Sequence, residues 1–248
     1  DGAVNYNAFK FGQYDNGWVN DSYIRCYEGV RQASIMVNNV DINEELTKEE
    51  ILDKKAQARF LRAYFYWLLL RKYGPIPLIP DETISIDETY TGMSYPRATY
   101  DEVVDYIDKE MTLAAKDLPD RRDRQNIARA TRGAALAVRA KALLYSASPL
   151  NNPLPDDPDK FTDFVDDQGR ILMSQTYDES KWAKAAAAAK DVIDLGRYEL
   201  HTADYQDKGD NTYPATVKPP YNAKYSNKNF PDGWANIDPF ESYRSIFN

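Results

Sequence analysis

A single histidine, a single cysteine and no long apolar run set the first boundaries on this chain of 248 residues. With His201 alone, a metal site built on two histidines is excluded, and a histidine-dependent triad would rest on one residue; the expected role is structural or solvent-facing. With Cys26 alone there is no internal disulfide and no cysteine-rich metal site, and its place inside a helical pattern marks it as a buried, inert thiol. No apolar stretch reaches the roughly 18 residues needed to span a bilayer. The start, Asp1-Gly2-Ala3-Val4-Asn5, lacks the basic and apolar parts of a signal peptide, so the expectation is a cytoplasmic chain or a leader that lies outside this sequence. Neither a G-x-S-x-G elbow nor a phosphate-binding glycine loop occurs. Basic charge is also in deficit. With 31 basic against 39 acidic residues the net charge is -8, which repels a phosphate backbone and argues against nucleic acid as a partner.

What is present is a core and an excess of tyrosine. Hydrophobic residues make up 43% of the chain, enough for a globular fold, and 19 of the aromatic residues are Tyr, a side chain that offers an apolar face with a hydroxyl and so points toward ligand contact. Helical periodicity dominates. A first helix is expected from Trp18 to Val40, with Val19, Tyr23, Cys26, Val30, Ala33 and Val37 on one face. Thr47 and Glu50 form a capping box that opens a second, whose stripe is Ala56, Phe60, Ala63, Trp67 and Leu70; Gly74 supplies a left-handed stop. After a loop over residues 75–98, Thr99 and Glu102 cap a third helix carrying Val103, Ile107, Met111, Ala114 and Leu118. A fourth, from Thr131 to Ala147, places Gly133, Ala134, Ala137 and Ala140 along one side for close helix approach. Residues 149–178 are an excursion rich in Pro, Asp and Asn. An alanine-dense helix follows from Glu179 to Leu195, with Gly196 at its end. No strand pair is expected, apart from a short extended piece at Tyr198–Leu200, and residues 201–248 read as irregular loops. By their helical spacing Trp67 and Trp182 belong to the core.

Repeats organise these helices. Trp18, Tyr100 and Trp182 stand near helix starts at equal spacings of 82 residues, and Leu61-Arg62-Ala63 recurs as Val138-Arg139-Ala140 after 77. The fold class expected is all-α, tetratricopeptide-like helix pairs with long irregular insertions. The organisation is 1–17 irregular lead-in, 18–148 two helix pairs, 149–178 loop excursion, 179–200 the first helix of a third pair, and 201–248 loops leading onward. That last helix has no second helix after it. A stack of this kind needs roughly three units or more, so the expectation is a fragment that further sequence or another chain completes.

Particular strings carry a resemblance. Ala58-Arg59-Phe60-Leu61-Arg62-Ala63-Tyr64-Phe65-Tyr66-Trp67-Leu68, followed by Arg71-Lys72-Tyr73-Gly74-Pro75-Ile76-Pro77-Leu78-Ile79, resembles the hallmark segment of the SusD/RagB family. Arg132-Gly133-Ala134-Ala135-Leu136-Ala137 with Lys141-Ala142-Leu143-Leu144-Tyr145 and Ser148-Pro149 is similar to its second block, and Trp182-Ala183 through Gly196-Arg197-Tyr198-Glu199-Leu200 to its third. The resemblance covers Trp18 to Leu200. It implies a surface-exposed outer-membrane lipoprotein of Bacteroidetes, of the kind used in polysaccharide utilisation. Such a protein holds an oligosaccharide without catalysis and delivers it to a TonB-dependent transporter of the SusC type. The lipid-bearing N-terminal Cys of the family is missing, so any membrane association is through an anchor this sequence does not contain.

Carbohydrate capture requires flat aromatic faces for the C–H faces of sugar rings, and polar groups for the hydroxyls. Loops supply these most often. Trp18, Tyr90, Tyr95, Tyr221 and Trp234 are the glycan-binding candidates. No catalytic residue is singled out, because no spacing distinguishes a carboxylate pair from helix-surface acids. No cofactor is called for; the acidic stretch Asp156, Asp157, Asp159, Asp163, Asp166 and Asp167 would suit calcium, but it is not an EF-hand and reads as solvated loop. The arginines 121, 122, 124, 129 and 132 likewise read as a solvated loop and helix start. The alternative function is a scaffold whose helical repeats bind protein or peptide, with an enzyme ranked last.

Overall fold

The computed structural model describes residues 12, 22–81, 94–157, 160–205 and 223–247. These are helical, with no strands among them and only four isolated β-bridges. None of the helices is long and apolar enough to cross a membrane. The chain divides into two compact units, Asp1–Leu195 and Gly196–Asn248.

Among the described residues, five helices build the first unit: α1 (Ser22–Asn39), α2 (Lys48–Tyr73), α3 (Tyr100–Asp117), α4 (Arg132–Ala147) and α5 (Ser180–Asp194), with a 3-10 turn, Val40–Ile42, after α1. Each packs chiefly on its neighbours in sequence. Neighbours run antiparallel, since Ser22 at the start of α1 meets Tyr73 at the end of α2 (Oγ to Oη 3.1 Å), and Ser146 at the end of α4 meets Asp101 at the start of α3. The ends of α2 and α4 and the starts of α3 and α5 therefore lie at one end of the stack, and both long excursions, residues 74–99 and 148–179, emerge there.

Both expected capping boxes form. Thr47 accepts from the Glu50 N–H while Glu50 accepts from the Thr47 N–H, and Thr99 and Glu102 repeat the arrangement. The α3 stripe Val103, Ile107, Met111 and Ala114, with the capping Leu118, is wholly buried. In α2 burial runs nearly all round, adding Ala58, Arg62, Tyr66 and Leu69 to the expected Ala56, Ala63, Trp67 and Leu70 while leaving Phe60 only half-buried. The reason is position: α2 lies between α1 and α3. Gly74 has the positive φ of +69° expected of a helix stop, but its ψ of -139° turns the chain out rather than into the left-handed helical region.

Three expectations need correction. Trp182 is 41% exposed rather than core, because α5 packs on α4 alone and buries only Ala185 and Ala188. In α4 the buried residues are Gly133, Ala135, Ala142, Leu143, Ser146 and Ala147, and Ala137 is exposed; with alanine at so many positions, small size marks no single face. Tyr198–Leu200 makes no β-bridge.

The second unit holds α6 (Ala223–Ser226) and α7 (Pro239–Arg244). The stretch 201–248, expected to be irregular loop, thus contains helix, and α7 has a capped start. Asp238 caps it, accepting from Glu241 N–H at 2.8 Å, and Pro239 takes the first helical position, where its missing donor costs nothing. Six residues are too few to show a helical period.

Where α1 crosses α2, Gly29 allows the two backbones to close on each other: a Cβ there would stand 2.4 Å from the Phe65 ring. Gly29→Ala forces that ring to move, so chemical denaturation should show a loss of about 1–3 kcal/mol, the usual cost of overpacking.

Candidate functional site

The site elements begin with a charge that the core has to accommodate. Arg62 of α2 is 1% exposed and Glu110 of α3 is 2% exposed, and they pair at 2.6 Å. Arg59 closes on both oxygens of the same carboxylate at 2.9 Å. From Arg62, Nη1 reaches out to Asp81 at 3.0 Å and toward Ser34 of α1 at 3.4 Å. Its Nε has no hydrogen-bond partner among the described residues. Burial alone would make this guanidinium easier to deprotonate, but Tyr106, Glu110 and Asp81 outweigh it and hold the charge more firmly than usual.

Asp81 belongs to the segment that leaves α2, and three tyrosines hold that segment at alternate residues. Tyr27 of α1 donates to the Pro77 carbonyl at 2.8 Å, Ile79 N–H donates to the Tyr66 hydroxyl of α2 at 3.0 Å, and Tyr106 of α3 donates to Asp81 Oδ1 at 2.8 Å. Asn38 adds a bond to the Asp81 carbonyl at 2.6 Å. One tyrosine from each of the three helices thus takes one position of the outgoing segment. The rings also touch in sequence: Tyr73 to Tyr23 at 5.1 Å, Tyr23 to Tyr27 at 4.9 Å, Tyr27 to Tyr66 at 6.3 Å and Tyr66 to Tyr106 at 5.1 Å between centroids. Desolvation raises the pKa of Tyr27 and Tyr106 and pushes that of Tyr66 up to about 12, so all three hydroxyls stay protonated at neutral pH.

The far end of the same loop is fixed by backbone. Ala98 N–H donates to Ile76 O at 3.0 Å beside a bridge between Pro77 and Arg97. The second excursion is joined to it: Tyr100 N–H donates to Leu172 O at 2.9 Å, Arg170 donates to Arg97 O at 2.7 Å, and Arg97 lies over the Phe164 ring. Asn152 closes the base of that excursion by exchanging two bonds with the backbone of Asp178, at 2.8 and 3.0 Å. The loop end of the first unit is thus a stitched surface. Tyr95 is half-buried on it, and Phe161, Tyr177, Leu154 and Val165 are exposed.

Of the other sequence candidates, Trp18, Tyr90 and Tyr221 lie outside the described residues. Trp234 is half-buried in the second unit, on a turn where its N–H donates to Tyr225 O at 3.1 Å. Gly233 permits that turn, since a Cβ would stand 2.2 Å from Tyr225 O. Tyr95 and Trp234 belong to different units, and no joint site is drawn from them. Phe161 and Tyr177 were missed because the excursion has no periodicity to set an exposed ring apart from a packed one.

The charged runs resolve into structure. Arg122 makes a two-point bond to Asp53 at 2.7 Å twice over and donates to Ala130 O, while Arg132 pairs with Asp120 and donates to Ala115 O. These two are not the solvated residues expected; their planar guanidinium groups lock the α3–α4 connection. Within the acidic stretch, Asp166 accepts from the Arg170 and Gln168 N–H groups and from the Arg170 side chain, which lowers its pKa. Asp157 pairs with Lys160, and Asp159 lies outside the described residues. His201 is exposed, with Nε2 2.9 Å from Ser245 Oγ. Cys26 is buried, and desolvation raises its pKa. Away from the loop end, an open groove of about 410 Å³ runs between α1 and α2, lined among others by Gly29, Met36, Leu61, Phe65 and Arg129.

Comparisons with known proteins give this geometry relatives. Residues 4–144 match a SusD-like family model described as starch-binding and associating with the outer membrane. The chain is 27% identical over 189 residues to a SusD-like protein of Bacteroides ovatus, covering 71% of this chain and 33% of that protein. It is 25% identical over 123 residues to SusD-like protein P25 of Formosa agariphila, covering 50% and 23%. It thus spans a third or less of the length of these two relatives. Among solved structures, BT4246 aligns with a TM-score of 0.67 at 32% identity, over 80% of this chain and 34% of that one. Surface glycan-binding protein A from Bacteroides uniformis aligns at 0.54 and 21%, over 76% and 34%, a likeness of fold.

Two outcomes follow from the buried charges. Glu110→Ala leaves Arg62 without its main partner and should cost about 3–5 kcal/mol in urea unfolding, most of it recovered when Arg62→Met and Glu110→Leu are combined. The raised tyrosine pKa values add stability that is intact below the unfolded pKa of about 10 and is lost as pH rises through the folded pKa of about 12 for Tyr66. Circular dichroism across that range should therefore show alkaline unfolding, displaced to higher pH in Tyr66→Phe.

Proposed function

The chain belongs to the SusD-like family, and from that membership we propose that it is part of a cell-surface protein that captures glycan without catalysis. The supporting observation is the loop end of the first unit. Two excursions are tied to each other and to the helix ends, while aromatic side chains on them remain accessible. This is the arrangement stacking on a sugar ring requires: apolar faces held in place, surrounded by backbone and polar groups that can meet hydroxyls. The helices act as the frame. On this reading the whole protein is a lipoprotein of the outer membrane, and it hands its oligosaccharide to a TonB-dependent transporter of the SusC type. Aromatic contact and hydrogen bonding explain capture and release with no reacting group and no cofactor. Tyr95 is the described residue from the sequence candidates that fits the role, with Trp18, Tyr90, Tyr221 and Trp234 as further candidates.

The groove between α1 and α2 favours a second reading, a protein- or peptide-binding scaffold, because its lining mixes apolar side chains with the cationic Lys54 and Arg129.

Calorimetry of the full-length protein with malto-oligosaccharides and β-glucan oligosaccharides tests the proposal. Binding to at least one is expected, weakened about tenfold by Tyr95→Ala, which corresponds to ~1.4 kcal/mol. No binding to any glycan, with or without the transporter, would count against it.

A further inference from the structure

We infer that Phe161 is a sugar-stacking residue, its ring the platform for the C–H face of a pyranose on the loop end of the first unit; this rests on the glycan-capture reading. Phe161 has φ of +59°, and it is the one non-glycine residue at positive φ among the described residues. For a bulky L side chain that conformation is an outlier, because Cβ is crowded against the backbone. Glycine would avoid the cost, and the same excursion uses glycine for it eight residues later, at Gly169 with φ of +79°.

Burial is the usual compensation for a strained apolar residue, and here it is incomplete, since Phe161 is 41% exposed. The strain is sustained by the backbone around it. Gln175 Nε2 donates to Lys160 O at 3.0 Å and to Met173 O at 3.1 Å, and Phe164 N–H donates to Phe161 O at 3.1 Å. Leu172 N–H then donates to Phe164 O at 3.0 Å, and Leu172, fully buried, accepts from the first residue of α3. Bonds thus run from α3 to the carbonyl of Phe161 and hold the residue before it, while Phe161 stays exposed. Strained side chains held by their surroundings gather at binding sites, because strain there fixes a group in its working position. The chemistry of the group selects the ligand class: a flat, uncharged hydrocarbon face suits the C–H face of a sugar. Lys160, the preceding residue, pairs with Asp157 at 2.6 Å, and both are groups able to meet hydroxyls.

The test uses the full-length protein and its Phe161→Gly, Phe161→Ala and Phe161→Trp variants, titrated with the malto-oligosaccharide or β-glucan oligosaccharide that the unaltered protein binds, with melting temperature measured in parallel. Phe161→Gly should raise the melting temperature, because glycine accepts the positive φ freely, yet weaken binding about tenfold or more. Phe161→Ala should weaken binding equally, and Phe161→Trp should preserve it. Unchanged affinity in Phe161→Gly and Phe161→Ala would overturn the role of Phe161 while leaving glycan capture standing. A lower melting temperature in Phe161→Gly would assign the ring to packing and also overturn it. Failure of the unaltered protein to bind either glycan class would remove the capture reading itself, and this inference with it.

Discussion

The buried pair of Arg62 and Glu110 is the constraint around which the first unit is arranged. A guanidinium and a carboxylate taken out of water are tolerated only with charged partners close by, since a stranded charge costs several kcal/mol. Arg62 therefore dictates where its neighbours stand. It fixes α2 against α3 through Glu110, approaches α1 through Ser34, and draws the outgoing chain back through Asp81. The second helix pair repeats the device. Arg139 of α4, the counterpart of Arg62 in the repeat, joins Asp108 of its own pair at 2.5 Å to Asp191 of the next at 2.6 Å. In both pairs one arginine on the second helix reaches its own first helix and the first helix of the following pair. A stack held mainly by contacts between neighbours gains a specific link at each step.

The tyrosines give this link an outlet. A chain rich in tyrosine invites a reading of ligand contact, yet Tyr27, Tyr66 and Tyr106 spend their hydroxyls on the segment leaving α2, and their rings join Tyr23 and Tyr73 in a continuous row. A tyrosine inside a helical core must find a partner for its hydroxyl. Placing the extended segment 77–81 above the three helices satisfies all three partners at once. The string Arg62 to Ile79 is thereby explained as one mechanical unit: the buried cation, the gripping tyrosine, the helix stop and the strip of chain that is gripped.

Antiparallel packing then decides where ligand chemistry can reside. Short connections fall at one end of the stack and the long excursions at the other, so residues distant in sequence, such as Arg97, Arg170 and Leu172, meet on one surface. The helices are given over to holding one another. The loops are tied at their bases and leave aromatic residues exposed, an arrangement in keeping with sites grafted on a common scaffold.

The helices, both capping boxes, the α3 stripe, the burial of Trp67 and Cys26 and the family were legible in the amino-acid sequence, because each depends on residues within a turn or two of one another. Legibility stopped where the partner lay far along the chain. Nothing near Arg62 announces Glu110, 48 positions away, and nothing near Trp182 reveals that α5 has one neighbour instead of two. Alanine-rich α4 carries no contrast from which to read its buried side, and α7 is too short for its period to show. Among the candidate aromatics the sequence could name types and loops but not which rings would be packed and which exposed. Local sequence determined which segments become helices and how they begin and end, since propensity, capping and periodicity act over a few residues. Only the tertiary structure decided which polar groups are buried together and which rings face outward, because burial belongs to the packed neighbours and not to the residue.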